Sequence, residues 1–203
     1  MMDTDVFLTI ENQTEGFYSD KGSKFYSFAY PVSSEDEIKT IQQSLRKKYH
    51  SSRHQVYAFM LGPDKEHYRA NDDGEPANSS GMPVLGQIKS FNLTDILIVV
   101  VRYFGGTKLG IPGLINAYKN AAKDALDKAK IIEKFITKEA ELIFDYDEIA
   151  FVMKTLSDAD AKINNQTFLE NCKLVFSIRL SEFDNLIGNL SKNHKIEILL
   201  KDG

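Results

Sequence analysis

The chain is 203 residues long, 42% apolar and 27% charged, an ordinary globular balance that excludes disordered and fibrous classes. Its longest apolar stretch, Ile96 to Val101, falls far short of the ~20 residues a membrane-spanning helix needs, and the acidic Met-Met-Asp-Thr-Asp start does not resemble a signal peptide. A net charge of −4 gives no global attraction to nucleic acid, but it is uneven: residues 1–135 hold 17 Lys+Arg and 17 Asp+Glu, whereas residues 136–203 hold 8 and 12. Cys172 is alone, which excludes an intrachain disulfide and any cysteine-cluster metal site, and a cytoplasmic location is expected.

In chain order, Val6 to Ile10 alternates as a half-buried strand does, and Phe25 to Tyr30 predicts a second strand ended by Pro31. Ser34-Glu-Asp-Glu37 is a capping box, and Ile38, Ile41 and Leu45 at helical spacing predict a helix to about Tyr49. Val56–Leu61 and His67–Ala70 read as strands separated by the Gly62-Pro-Asp64 turn. Pro83 suits the first turn of a short helix with Val84, Leu85 and Ile88 inward. Thr94 to Tyr103 is nearly continuous β-branched sequence, a strand buried on both faces. A helix is expected from about Pro112 to Ala129, with Leu114, Tyr118, Ala121, Ala122 and Ala125 along one side.

Residues 130–138 read as a junction. Beyond it the pattern gives a strand (140–146), a helix carrying Val152, Met153 and Leu156, and strands at 161–169 and 173–180. A helix capped by Ser181 and a strand at 195–200 complete it. This βαββαβ order is the ferredoxin-like arrangement. The expected class is α+β, with domains at 1–133 and 134–203.

Two segments have the wrong composition for simple scaffold. In Asp72-Asp-Gly-Glu-Pro76, three carboxylates repel one another within four residues. This is either a solvated turn leading into an N-cap or a ligand-facing loop in which Asp72, Asp73 and Glu75 orient backbone, arginines or a metal. The second segment, Arg102-Tyr-Phe-Gly-Gly-Thr-Lys-Leu-Gly110, links the buried strand to a helix start. There Gly105, Gly106 and Gly110 would let N–H groups approach an anion, and Lys108 adds charge. It is neither a Walker A loop nor a dinucleotide fingerprint. Arg102, Tyr103 and Phe104 at the strand exit either stack bases or bind phosphate, or, as such a tyrosine and phenylalanine more often do, cover the edge of the core. Pairing of Arg102 with Asp72 or Asp73 is expected ahead of direct catalysis. The histidines show no metal-ligand spacing, and His54 is expected to be a structural hydrogen-bonder.

Asp72 to Pro76, then Arg102-Tyr-Phe-Gly-Gly106, Lys108-Leu-Gly110, Gly113-Leu114 and Ala117-Tyr118, together resemble the IMPACT/YigZ family. Lys21-Gly-Ser-Lys-Phe25 and the stretch from Arg53-His54 to Tyr57-Ala58 are similar to its early motifs. The resemblance covers essentially the whole chain. It implies an N-terminal domain like domain 2 of ribosomal protein S5 and domain IV of elongation factor G. It also implies a ferredoxin-like C-terminal domain like that factor's domain V. Eukaryotic relatives are translation regulators that bind the large activator of the amino-acid-starvation kinase. Three places depart from the family pattern: the Ala77-Asn-Ser-Ser-Gly81 run, Pro112, which removes an N–H donor, and Asn116, where an arginine is usual.

The resulting expectation is a non-enzymatic, translation-associated protein that binds RNA, the ribosome or a protein partner through the 72–118 face. Lys24, Arg53, Arg102 and Lys108 would make the contacts. His54, Asp72, Asp73, Glu75, Tyr103, Gly105, Gly106, Gly110 and Asn116 complete the candidate set. No catalytic residue, metal ligand, cofactor or membrane partner is expected. The alternatives are a divalent-metal-dependent hydrolase or phosphoryl-handling enzyme using Asp72, Asp73 and Glu75, and a protein adaptor without a nucleic-acid role.

Overall fold

The structure is a computed structural model and is described for residues 5–200. Contacts divide the chain into a unit spanning Phe7–Lys134 and a second unit running from Phe135, with which Asp5 and Val6 cluster.

The first unit is built on five antiparallel strands in the order β2-β3-β6-β4-β5. These are β2 (Thr14–Asp20), β3 (Ser23–Pro31), β4 (His54–Leu61), β5 (His67–Asn71) and, at the centre, β6 (Ile96–Tyr103). Successive residues on β6 serve opposite faces, and both faces are buried, which is why the sequence there is unbroken Ile, Leu and Val. On one face, Ile96, Ile98 and Val100 pack under α2 (Gly81–Ser90) and α3 (Gly110–Asp127). The alanines of α3 at 117, 121, 122 and 125 are fully buried and let the helix lie close to the sheet. On the other face, Leu97, Val99 and Val101 pack with Ile38 and Leu45 of α1 (Glu35–Lys48).

Ser34 caps α1 by accepting from the Glu37 N–H at 3.3 Å. The Glu37 carboxylate reaches back one residue further than a capping box requires, to the N–H of Ser33 at 2.7 Å.

Two strands have no counterpart in the sequence expectations. Strand β2 is mostly polar, with Gly16 its one buried residue, and gains its order from full pairing with β3. Strand β7 (Ile131–Phe135) lies in the expected junction and pairs with β1 (Val6–Ile10) as a separate two-stranded ribbon.

The second unit runs β8 (Thr137–Phe144), α4 (Ile149–Asp158), β9 (Lys162–Phe168), β10 (Cys172–Arg179), α5 (Leu180–Leu190) and β11 (Ile196–Leu200). Its sheet order is β11-β8-β10-β9, antiparallel throughout. Leu142, Leu174, Phe176, Val152, Leu156 and Phe183 form its core. Ser181 is not the cap of α5: the helix begins at Leu180, and the Ser181 N–H donates to Asp5 at 3.2 Å. Asp5 also takes two parallel hydrogen bonds from Arg179, at 2.6 and 2.7 Å, which hold its carboxyl far below the usual range. Cys172 is buried in this core, and burial pushes its thiol up, away from nucleophilic chemistry.

Candidate functional site

The acidic loop between β5 and α2 is not a solvated cluster. Each of its three carboxylates turns to a different element of the first unit. Asp72 covers the start of α2, accepting from the N–H groups of Asn78 (2.8 Å), Ser80 (3.0 Å) and Gly81 (2.8 Å) and from the Ser80 hydroxyl (2.6 Å). Burial pushes its pKa up, but the Ser80 hydroxyl and the three N–H groups outweigh burial and leave it below the ordinary aspartate value. Ser80, which sits at the N-cap position, makes no side-chain cap of its own, because Asp72 has taken that role from the preceding loop.

Asp73 faces the other way. One oxygen accepts from the Gln55 N–H at 2.7 Å and the other from Arg46 of α1 at 2.9 Å. Its φ of 42° places it in the left-handed region, held there by the Asn71 side chain, which accepts from the Asp73 N–H at 2.8 Å. The Asp73 carbonyl lies 2.8 Å from His54 Nδ1, and since a carbonyl only accepts, His54 carries its proton on Nδ1. His54 is thus a structural hydrogen-bonder.

Glu75 is the carboxylate that meets Arg102. Its Oε1 accepts from Arg102 Nη1 at 2.6 Å and from the Tyr118 hydroxyl at 2.8 Å, and the two charged side chains are only 7% and 5% exposed for Arg102 and Glu75 respectively. The expected pairing of Arg102 with Asp72 or Asp73 is therefore replaced. Both aspartates are held by nearby backbone donors, and Pro76 ends a turn closed by Glu75 N–H donating to the Asp72 carbonyl, 2.9 Å away. Tyr118 was legible as a buried position on α3 and as part of a family motif, but not as a partner of Glu75. A phenol there must find a partner for its hydroxyl, and that requirement was the available signal. Burial, followed by the Glu75 charge, raises the Tyr118 pKa well above the tyrosine range, so it stays a donor.

The Arg102 guanidinium lies over the ring of Phe25 at 5.5 Å and of Phe104 at 5.6 Å, and its Nε has no hydrogen-bond partner. Among the described residues, no group of three His, Cys, Asp or Glu side chains is placed to hold a metal ion. Asp72, Asp73 and Glu75 are bonded in three directions to protein donors, and converging on one cation would require breaking all three sets.

In the glycine turn, Gly105 is dictated by packing. A Cβ there would stand 1.9 Å from the carbonyl carbon of Gly22, and the Gly105 N–H donates to Ser23 Oγ at 3.1 Å, so it is not free for an anion. Gly106 has open space on its Cα but a φ of +89°, and Gly110 opens α3 with a φ of +70°. Lys108 is exposed between them and makes no ion pair among the described residues. Asn116 turns toward β2, donating to the Tyr18 hydroxyl at 3.3 Å. Beside Arg102 a pocket of about 350 Å³ opens between Pro76, Phe104, Lys108 and the first turn of α3.

Lys24 and Tyr103 belong to the opposite face. They are directly paired across β3 and β6, on the side of the sheet that carries α1. Tyr103 packs edge-on against Tyr26 at 6.0 Å, and Tyr26 packs against Phe17 of β2 at 5.1 Å. Phe17 is 45% exposed. The Tyr103 hydroxyl lies 3.4 Å from Ser51, in the loop that carries exposed Arg53. The candidate residues therefore form two groups on opposite sides of one sheet. Phe17 and Tyr26, absent from the sequence candidates, complete the second.

These features define a class by architecture. It is an antiparallel α/β domain whose acidic loop and glycine turn are locked to the central strand by a buried Glu–Arg–Tyr cluster, followed by a four-stranded α/β unit. The chain belongs to the IMPACT family: the Impact N-terminal domain matches residues 21–126. It is 30% identical to the IMPACT family member of Haemophilus influenzae over 89% of each chain. It is 29% identical to the IMPACT family member YigZ of Escherichia coli, over 85% of this chain and 87% of the relative. A solved structure described as a hypothetical protein aligns over 98% of both chains with a TM-score of 0.78 and 25% identity.

Proposed function

We propose that this protein is a non-enzymatic, translation-associated factor that binds RNA, and that the α1-side group carries the contact. The observation behind this reading is the row Phe17–Tyr26–Tyr103. Three aromatic rings from adjacent strands lie on one sheet face, with Lys24 opposite Tyr103. A row of half-buried rings that opens to solvent at Phe17, beside cations, suits unstacked bases and their phosphates. Lys24 and Arg53 make no ion pair among the described residues, so both charges are available. Lys48 lies nearby, its ammonium 5.2 Å from the Tyr49 ring.

The translation role rests on the family resemblance. The same reading likens the first unit to domain 2 of ribosomal protein S5 and the second to domain V of elongation factor G. The antiparallel sheets and the βαββαβ order of the second unit support that likeness. Within this reading Arg102 and Glu75 shape the domain, and Lys108 is a separate cation on the helix side. A role in translation gives the protein a cytoplasmic workplace; among the described residues no helix is long and apolar enough to cross a membrane.

The test is filter binding to ribosomal RNA fragments across a salt series, with ribosome co-sedimentation alongside. Salt-sensitive binding that weakens in Lys24→Gln and Phe17→Ala is the expected result. Absence of both salt-dependent affinity and co-sedimentation overturns the reading. A nuclease-resistant protein partner in place of RNA would favour the adaptor alternative.

A further inference from the structure

We infer that the pocket beside Arg102 is a binding site for a small monoanionic ligand with an apolar body, such as a branched-chain or arylalkyl carboxylate. The site is on the helix side of the sheet and does not depend on RNA binding at the opposite face.

Three observations carry it. The first is the lining: Pro76, Phe104, Leu109, Ile111 and Leu114 make most of the wall, and Phe104 and Ile111 are each 53% exposed at its mouth. An apolar cleft of about 350 Å³ with a few polar groups is the usual form of a small-molecule site. The second is charge. Glu75 and Arg102 neutralise one another, which leaves Lys108 as the uncompensated charge of the lining. The start of α3 adds to it: Leu109, at the N-cap position, offers no side-chain cap, so the first-turn N–H groups, of which Pro112 contributes none, are not covered by one. A single positive charge beside a helix start suits a monoanion better than a phosphate dianion.

The third observation is Arg102 itself. Its side chain is nine-tenths buried, it lines the pocket, and its Nε–H has no partner. A buried donor without an acceptor costs free energy, which a ligand acceptor would recover. The guanidinium lies between the buried Phe25 ring at 5.5 Å and the ring of Phe104 at 5.6 Å, and of the two only Phe104 is half in solvent. The site as inferred has Phe104 turn aside for the ligand while Arg102 keeps its hydrogen bond to Glu75.

Titration of the ¹⁵N-labelled full-length chain with 4-methylpentanoate, its neutral amide and inorganic phosphate tests the proposal by NMR. The carboxylate is expected to give saturable shifts at the amides of residues 110–114 and at the Arg102 Nε–Hε signal. The amide should bind at least about tenfold more weakly, the loss of one charge-assisted contact. Lys108→Gln, an exposed change that leaves the fold intact, should weaken the carboxylate by a similar factor. Three results would each overturn the site as proposed: no saturable shift at millimolar carboxylate, equal affinity for the amide, or tighter binding of inorganic phosphate. Failure here leaves the RNA test at Lys24 and Phe17 unaffected, because those residues lie on the other face.

Discussion

Arg102 and Tyr103 are consecutive on β6, yet they serve opposite sides of the sheet and have opposite fates. Arg102 turns under α2 and α3, is 7% exposed along its side chain, and gives its charge to Glu75. Tyr103 turns to the α1 side, where it joins a row of aromatic rings open to solvent at Phe17. A charge committed to an internal partner fixes a loop, whereas an uncommitted charge such as Lys24, beside a row of rings open at Phe17, is free to bind. The motif that joins Arg102 to Tyr103 in sequence thus serves two purposes in the fold.

The comparison breaks first at Arg102. Arg102→Met leaves the Glu75 carboxylate buried without its cation, and urea unfolding should show a loss of about 3–5 kcal/mol. Combining it with Glu75→Leu should recover much of that loss. A single variant within 1 kcal/mol of the parent, on the order of an exposed pair, would mean that Arg102 is not the internal strut described. Next, Gly105→Ala forces a Cβ against the Gly22 backbone and should cost roughly 1–3 kcal/mol by the same measurement. Gly106→Ala, with open space but a positive φ, should cost about 1–2 kcal/mol.

A smaller effect concerns Asp72, where the folded state lowers the pKa. Its contribution is fully present above the unfolded aspartate value of about 3.9 and is lost as pH falls through the lower folded value. Stability measured from pH 6 downward should therefore decline less steeply in Asp72→Asn than in the parent, and Asp72→Ala should cost about 1–2 kcal/mol near neutrality. An unchanged acid limb would remove Asp72 from its capping role. The smallest stability change is expected on the other face. Lys24→Gln should stay within about 0.5 kcal/mol of the parent. Its logarithmic salt slope for RNA should nevertheless fall by about 0.7, the value of one released counterion on a single strand.

Much of the fold was legible because periodicity reports burial. Strand β6 announced itself as an unbroken β-branched run, α3 by its alanine stripe, and the second unit by alternating strands and helices. The strands that were not legible, β2 and β7, lack that signal. Strand β2 has one buried residue, Gly16, and is ordered by its neighbour, and β7 is a short, exposed strand paired in a two-stranded ribbon. In the candidate site, the sequence identified the acidic loop and the glycine turn, and it identified His54 as a structural group.

The sequence by itself therefore determined most of the element order and the two odd loops, because these depend on local patterns, and the motifs in those loops carried the resemblance to the family. Tertiary structure alone decided that Glu75, rather than either aspartate, holds Arg102, and that Tyr118 completes the pair. It also decided that Gly105 answers to Gly22 and that Lys24 and Lys108 face opposite ways. Each of these depends on which atoms come within about 3 Å across tens of residues, a distance that hydrogen-bond geometry requires and that no linear spacing encodes.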